Sequence, residues 1–147
     1  YFNVFGQRQS PEGAYAAVIP LFIAAALQGE QAYINDRGQQ TRDFTYIENV
    51  VQINIRALFT QKSEALNQVY NVGCGGRYSL LELHQTIQGL TQTQHLAPIF
   101  RAPRTGDVQD SQANIDKARR LLGYEPRFDF RTGLQATVEA MRRTLKL

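Results

Sequence analysis

Residues 1–6 read Tyr-Phe-Asn-Val-Phe-Gly, with an aromatic or β-branched side chain at every position but Asn3 before the glycine. Such a run suits a strand covered on both faces in a parallel sheet, and Gly6 ends it. Polar and turn-forming residues from Gln7 to Gly13 make a loop, and apolar residues then dominate every face from Ala16 to Gln28. Pro20 is tolerable only in a first turn, so this helix starts at about Val18, and Gly29 stops it. A strand covered on both faces followed by a buried helix predicts an α/β chain with some parallel pairing.

Working outward, Ala32 to Ile34 reads as a short strand, Asp36 to Gly38 as a turn and Arg42 to Thr45 as a second extended piece, together a small hairpin-like unit. Val50, Val51, Ile53, Ile55, Leu58 and Phe59 recur at helical spacing, so a helix over Glu48 to Phe59 is expected to bury one broad stripe. Val69 to Val72 reads as another buried strand. Ser79 with Glu82 three residues later is a capping box that starts the helix LLELHQTIQGL, with His84 inside it. Pro98 to Arg101 is extended. The polar loop GDVQDS precedes a helix over Ile115 to Leu122, closed by Gly123, and a last helix runs from about Gly133 to Leu145.

The chain has 147 residues, 43% hydrophobic, and can bury an ordinary single-domain core. Its longest apolar run, Ala14 to Leu27, is too short for a bilayer span and contains Pro20, so no membrane association is expected. Cys74 is the only cysteine, which rules out an internal disulfide and suits a cytoplasmic setting. Two histidines and one cysteine, scattered, argue against a metal site. The net charge of +3 is dispersed apart from Arg119–Arg120 and Arg142–Arg143, a pattern of solvated helix faces rather than of a nucleic-acid surface. A small anion such as a diphosphate needs only one or two well-placed arginines. The opening at Tyr1, without Met or a leader, looks like a cut inside a longer protein.

Three motifs offer chemistry. Gly73 to Gly76, GCGG, lies between a strand and a helix, as a phosphate-cradling loop would, but Tyr78 stands where a dinucleotide fingerprint needs glycine, and Ser79 already caps the helix. A tight structural connection is the better reading. In TRDFTYIENV, Arg42 and Asp43 adjoin at a strand end, and neighbours on a strand face opposite ways. They read either as a surface ion pair or as a binding element. In PRTGDVQDS, Arg104, Asp107 and Ser111 share one polar loop.

In order along the chain, YFNVFGQRQSPEGAYAAVIP, YIN, TRDFTYIENV, VYNVG with SLLEL, PRTGDVQDS and LLGYEP resemble extended short-chain dehydrogenases/reductases of the NAD-dependent epimerase/dehydratase family, and most of all bacterial UDP-N-acetylglucosamine 4-epimerases. The resemblance spans essentially the whole chain. It implies an α/β fold comprising the C-terminal part of a Rossmann-type parallel sheet, residues 1–8 and 41–78, plus a smaller α+β substrate-binding domain, residues 9–40 and 79–147. Family members hold NAD on an N-terminal Rossmann domain and use a Tyr-x-x-x-Lys pair with a nearby Ser or Thr. Here Tyr1, Tyr15, Tyr33, Tyr46, Tyr70, Tyr78 and Tyr124 are followed four residues on by Phe5, Ile19, Arg37, Val50, Cys74, Glu82 and Phe128. No such pair is encoded, so this chain alone is expected to recognise a UDP-sugar without catalysis, NAD being bound only in a longer parent.

The same resemblance assigns positions. Asn3 matches an asparagine that hydrogen-bonds the sugar nucleotide, and Phe2 lies beside the nicotinamide end of the cofactor pocket. Ala17 and Val18 match backbone that touches the nucleotide, Tyr33 and Asn35 line uracil and ribose, Arg42 and Arg104 neutralise the diphosphate, and Asp107 holds the ribose hydroxyls. Ser111 occupies a position where a small residue leaves room for an acetamido group, or else it caps the helix beginning near Asn114 or Ile115. A related dehydratase, decarboxylase or uronate epimerase, or a non-catalytic UDP-sugar binding module, are the competing readings. Self-association through the strand at Tyr1 to Phe5 is a further expectation.

Overall fold

In a computed structural model of the chain, residues 1–13 and 16–145 are described; Ala14 and Tyr15, where the long apolar run begins, and residues 146–147 lie outside the described part. Among the described residues, seven short strands and five α-helices follow one another: β1 (Val4–Phe5), α1 (Val18–Gln28), β2 (Tyr33–Asn35), β3 (Thr41–Arg42), β4 (Thr45–Tyr46), α2 (Ile47–Leu58), β5 (Tyr78–Ser79), α3 (Leu80–Thr91), β6 (Ile99–Arg101), β7 (Asp110–Ser111), α4 (Asp116–Leu122) and α5 (Phe130–Leu145). The strands form three small sheets. β1 pairs in parallel with β4, β2 in parallel with β6, and β3 sits between antiparallel β5 and parallel β7. The chain is therefore α/β with parallel pairing.

Local signals fixed several ends. α1 begins at Val18 with Pro20 in its first turn, and Gly29 closes it in the left-handed conformation at φ 73°. The Ser79–Glu82 capping box forms: the Ser79 hydroxyl accepts from the Glu82 amide, and the Glu82 carboxylate accepts from the Ser79 amide. Those bonds hold the Glu82 carboxyl below the usual carboxylate range. Gly123 ends α4 in the left-handed region.

Other expectations need correction. The first strand is only Val4–Phe5, because Asn3 takes a positive φ of 34° and bends the chain, although the Phe2 amide still donates to the Val72 carbonyl at 2.8 Å. Residues 69–72 form no strand, and Val69 is 86% exposed. The segments at 33–35 and 41–45 do not pair as a hairpin, since β2 finds its partner more than sixty residues away in β6 and β3 finds β5 and β7. α5 starts three residues early, at Phe130, because the Asp129 carboxylate accepts from the Thr132 amide at 2.7 Å and so serves the free amides of the first turn. Gly133 then lies inside that helix, where an added Cβ would meet the Tyr46 ring at 2.6 Å.

Two clusters carry the core. Phe5, Ile19, Phe22, Ile23, Ile34, Phe44, Tyr46, Leu83, Ile87, Leu134 and Val138 join α1, α3 and α5 over β1, β2 and β4. Val50, Ile53, Val72, Ile115, Leu122 and Tyr124 join α2 and α4. The broad stripe expected of α2 is only half covered. Val50 and Ile53 are buried, whereas Val51, Ile55, Leu58 and Phe59 are 44–76% exposed. Val51, Ile55 and Leu58, with Phe59 just past the helix end, lie on roughly the opposite side from Val50 and Ile53, turned from the second cluster.

Candidate functional site

Alternation along an extended chain separates two neighbours. Arg42, in β3, turns to a cleft, while Asp43, directly after it, is fully buried. The Asp43 carboxylate accepts from the backbone amides of Cys74 at 3.0 Å, Gly75 at 2.9 Å and Ala113 at 3.2 Å. The reading of Arg42 and Asp43 as a surface ion pair is thereby corrected: a carboxylate taken out of water is compensated by three N–H donors. Gly73 is obligatory at this junction, because a Cβ there would come within 2.6 Å of both Asp43 Oδ2 and Ala113 Cβ. Buried Tyr124 donates to the Gly73 carbonyl at 2.9 Å, and burial pushes its phenol far up. The GCGG run is thus a structural connection whose amides are used by Asp43.

The cleft has a volume of about 840 Å³ and opens between α1, β2 and the loop before β7. Asn3, Ala17, Val18, Tyr33, Asn35, Arg42, Arg104 and Asp107 all line it, so residues spread over a hundred positions of sequence share one surface. Arg42 donates to Asp107 Oδ1 at 2.6 Å, the two side chains being 15% and 25% exposed. A second bond from Arg42 to the Thr41 carbonyl at 2.8 Å fixes the guanidinium plane. Arg104 stands exposed on the same rim, its carbonyl accepting from the Asp107 amide at 3.1 Å. Tyr33 presents its ring at the edge, half exposed, with the Arg101 guanidinium 3.4 Å from the ring centre. Asn35 follows at the end of β2.

Ala17 is the N-cap of α1 and Val18 its first residue. Among the described residues that end of the helix has no side-chain cap and no acidic residue in its first turn, so its positive dipole end borders the cleft at Ala17 and Val18. The guanidiniums of Arg42, Arg101 and Arg104, one helix N-terminus and a half-exposed aromatic ring, with the carboxylates of Asp107, Glu12 and Glu30 on the same lining, make a surface suited to a small anion carrying hydroxyls and a flat ring.

Asn3 also lines the cleft, and its Nδ2 donates to the Asp43 carbonyl at 3.1 Å, a bond that suits an asparagine held at positive φ. Phe2 is not in this cleft; it is half-buried against the second core cluster. Ser111 is also outside the lining set. It pairs with Arg42 across β3 and β7, which puts the two on the same face of that sheet. The capping alternative for Ser111 is corrected, because α4 starts at Asp116 and it is Asn114 Oδ1 that accepts from the Asp116 amide at 2.9 Å.

Sequence reasoning missed several buried polar residues. Asn49 is fully buried, accepts from the amides of Arg127 and Phe128, and donates to the Phe128 carbonyl. Gln40 is 4% exposed and reaches Asp107. For Asn49 the available signal was an asparagine amid an apolar-periodic segment, whereas Gln40 lies in the polar run of residues 36–43 and carries none. Burial also pushes the His84 imidazole down, its ring edge-on to Phe22, and pushes the Cys74 thiol up with help from Asp43. Among the described residues no group of acidic, histidine or cysteine side chains gathers to hold a metal, and no helix is long and apolar enough to cross a membrane. As for a dinucleotide, the Cys74 and Gly75 amides are taken by Asp43 and the Glu82 amide by the Ser79 hydroxyl, which accords with a structural connection at this strand-to-helix junction.

Comparison with known proteins agrees with this geometry. Residues 1–73 match the NAD dependent epimerase/dehydratase family. The UDP-glucose 4-epimerase of Mycolicibacterium smegmatis is 36% identical over 140 residues, covering 95% of this chain and 43% of that protein. A crystal structure of the Thermotoga maritima UDP-glucose 4-epimerase with UDP-glucose superposes with a TM-score of 0.91 at 35% identity, covering 99% of this chain and 45% of that one. The UDP-N-acetylglucosamine 4-epimerase of Methanobrevibacter ruminantium, in complex with UDP-N-acetylmuramic acid, gives 0.90 at 33% identity, covering 98% and 45%. Similar curated proteins include a decarboxylase and a UDP-glucuronate 4-epimerase, each 31% identical, and some of the similar solved structures carry NAD. The chain spans less than half the length of the curated relatives it matches. It belongs to the NAD-dependent epimerase/dehydratase family.

Proposed function

We propose that this chain forms the nucleotide-sugar-binding portion of an NAD-dependent UDP-N-acetylhexosamine 4-epimerase, with the catalytic tyrosine–lysine pair and the NAD-binding residues supplied from outside this sequence. The observation that carries the reading is the single cleft into which Arg42, Arg104, Asp107, Tyr33, Asn35 and the open N-terminus of α1 converge. Arg42 and Arg104 take the diphosphate, Asp107 the ribose hydroxyls, Tyr33 and Asn35 the uracil and ribose, Ala17 and Val18 offer backbone, and Asn3 hydrogen-bonds the sugar nucleotide. Phe2, on the other side of the bend at Asn3, borders the nicotinamide end. Residues 1–8 and 41–78 belong to the sheet-bearing domain, and residues 9–40 and 79–147 close over the nucleotide. NAD, when bound, takes up and returns the hydride; the residues of this chain bind and orient the sugar.

Calorimetric titration of the chain with UDP tests the reading: micromolar binding is the expected result, and no heat at millimolar UDP removes it. Added NAD and UDP-N-acetylglucosamine should yield no UDP-N-acetylgalactosamine. The acetylated substrate rests on Ser111, which shares a sheet face with Arg42. In the protein joined to its catalytic half, Ser111→Tyr should lower kcat/KM for UDP-N-acetylglucosamine about tenfold and spare UDP-glucose, the cost of forcing a ring into packed space being roughly 1 to 3 kcal/mol. Equal losses on both substrates would withdraw the acetamido role.

The decarboxylase and the uronate epimerase among the relatives favour a second reading, a fragment of an enzyme acting on a UDP-uronate, or of a related dehydratase. Turnover of a UDP-uronate by the joined protein would establish it. UDP binding by a chain that never joins a catalytic half would instead make it a non-catalytic binding module. A cytoplasmic setting accords with the lone free thiol of Cys74. The strand at Tyr1 to Phe5, of which Val4–Phe5 pairs with β4, together with the exposed side of α2 to which Tyr1 is tied by a bond to Asn54 at 2.9 Å, favours self-association of the isolated chain, which sedimentation as a strict monomer would refute.

A further inference from the structure

We propose that Gln40 is a positioning residue for the cleft, its buried amide holding Asp107 so that Asp107 in turn holds the Arg42 guanidinium toward the ligand; the inference rests on the reading of that cleft as a nucleotide site. Gln40 lies between the turn after β2 and the start of β3, 4% exposed. Its Nε2 donates to the Asn35 carbonyl at 3.3 Å and to Asp107 Oδ2 at 3.4 Å. Both partners are acceptors, so the amide has one workable orientation, because a flip would set its oxygen against a carbonyl and a carboxylate. The Gln40 carbonyl accepts from the Leu80 amide at 3.1 Å, which anchors the residue to the start of α3.

This placement divides Asp107 between two partners. Oδ1 takes Arg42 and Oδ2 takes Gln40, so the carboxylate can neither swing to solvent nor rotate away from Arg42 without losing a bond. Gln40 thereby ties the end of β2, through the Asn35 carbonyl, to the rim loop at Asp107, which the Arg42 side chain and the Thr41–Gln109 backbone bond join to β3. The cost of the arrangement is visible, since Gln40 Oε1 is buried with no hydrogen-bond partner. A leucine would fill the same space without that penalty, so the amide nitrogen is the part that the site uses. Gln40 does not line the cleft and therefore acts through Asp107.

Two variants of the full 147-residue chain test this. Gln40→Met keeps the approximate shape without the donor, and Gln40→Glu sets a second carboxylate against Asp107. Without ligand, amide hydrogen exchange at Asp107 and Thr41 should quicken about tenfold in Gln40→Met while α3 and α5 keep their protection, the loss expected for one bond to a charged group. The Kd for UDP should rise by a similar factor. Gln40→Glu should be worse than Gln40→Met at pH 7.5 and should recover on acidification to pH 5, when a proton shared between the two carboxyls restores a donor; Gln40→Met should show no such recovery. Unchanged exchange at Asp107 and Thr41 in both variants overturns the proposal, as does a Gln40→Glu variant indistinguishable from Gln40→Met at both pH values. If the unmodified chain fails to bind UDP while both variants loosen Asp107 and acid re-fastens it in Gln40→Glu, the positioning role stands and the nucleotide reading falls.

Discussion

Two carboxylates, Asp43 and Asp107, flank Arg42 from opposite sides, and their surroundings differ in kind. Asp43 is sealed in a junction where three backbone amides, the Gly73 carbonyl and the Tyr124 hydroxyl are knitted together. Asp107 sits on a rim loop, a quarter exposed, and its partners are side chains with other possible uses. The first arrangement saturates its groups with main chain and has nothing left to offer a ligand. The second keeps charged groups movable at a cleft. Adjacent positions of one motif, TRDF, therefore serve folding and recognition separately, and burial rather than residue type tells them apart.

The largest expected effect breaks the buried side. Asp43→Ala leaves three amides without an acceptor in space that water does not reach, and a cost of about 1 to 3 kcal/mol for each unsatisfied group predicts a total loss of at least about 3 kcal/mol. Urea unfolding of the variant should show the midpoint collapse, with residues 73–75 and 113 losing exchange protection first. A loss below about 1 kcal/mol would mean that the Asp43 carboxylate is dispensable to the junction.

On the rim the same type of change should act on binding. Arg42→Ala and Arg104→Ala should each weaken UDP binding by about 1.5 to 3 kcal/mol, the usual worth of a hydrogen bond to a charged group, and shift the unfolding midpoint far less than Asp43→Ala does. The two arginines should also differ. Arg42 is preset by Asp107 and Thr41, whereas Arg104 must be ordered by the ligand, so a mutated Arg42 should show the greater share of its loss in enthalpy. A variant that unfolds as readily as Asp43→Ala without losing UDP affinity would return that arginine to a structural role.

The contrast also explains what sequence could show. Helix ends were legible where one residue decides them: Pro20 and Gly29 for α1, Ser79 with Glu82 for α3, Gly123 for α4. Strand partners were not, because β2 and β6 meet across a long separation and each is only three residues long, too short for a pattern to choose a partner. The apolar spacing of α2 is real, but spacing cannot say which flank another element covers, and Val51, Ile55 and Leu58, which fit the expected stripe, are exposed. The cleft residues were reached through the resemblance of whole motifs; no local pattern links Tyr33 to Arg104. Gln40 carries no local signal, and Asp43, legible beside Arg42 as half of a surface ion pair, shows its task only by its burial, since a polar residue beside a strand usually reads as surface.

The smallest effect sharpens the comparison from the solvent side. Arg77 donates to Asp110 Oδ1 at 2.6 Å and to Thr41 Oγ1 at 3.0 Å, and the Thr41 hydroxyl donates to that same Asp110 oxygen at 2.6 Å. The Thr41 bond first, then Arg77, draws the Asp110 carboxyl below its ordinary range. By geometry alone this is as close an ion pair as Arg42 with Asp107. Yet Arg77 and Asp110 are 54% and 51% exposed, so water screens the charges and two long side chains lose freedom to meet. A double-mutant cycle of Arg77→Ala and Asp110→Ala should give a coupling at the edge of detection, vanishing in 1 M salt where the screening length is about 3 Å. The Arg42–Asp107 cycle, on groups 15% and 25% exposed, should retain part of its coupling under the same salt because its pair is less open to ions. Equal couplings with equal salt sensitivity would show that partial burial does not distinguish the rim pair at the cleft from the pair on the open surface.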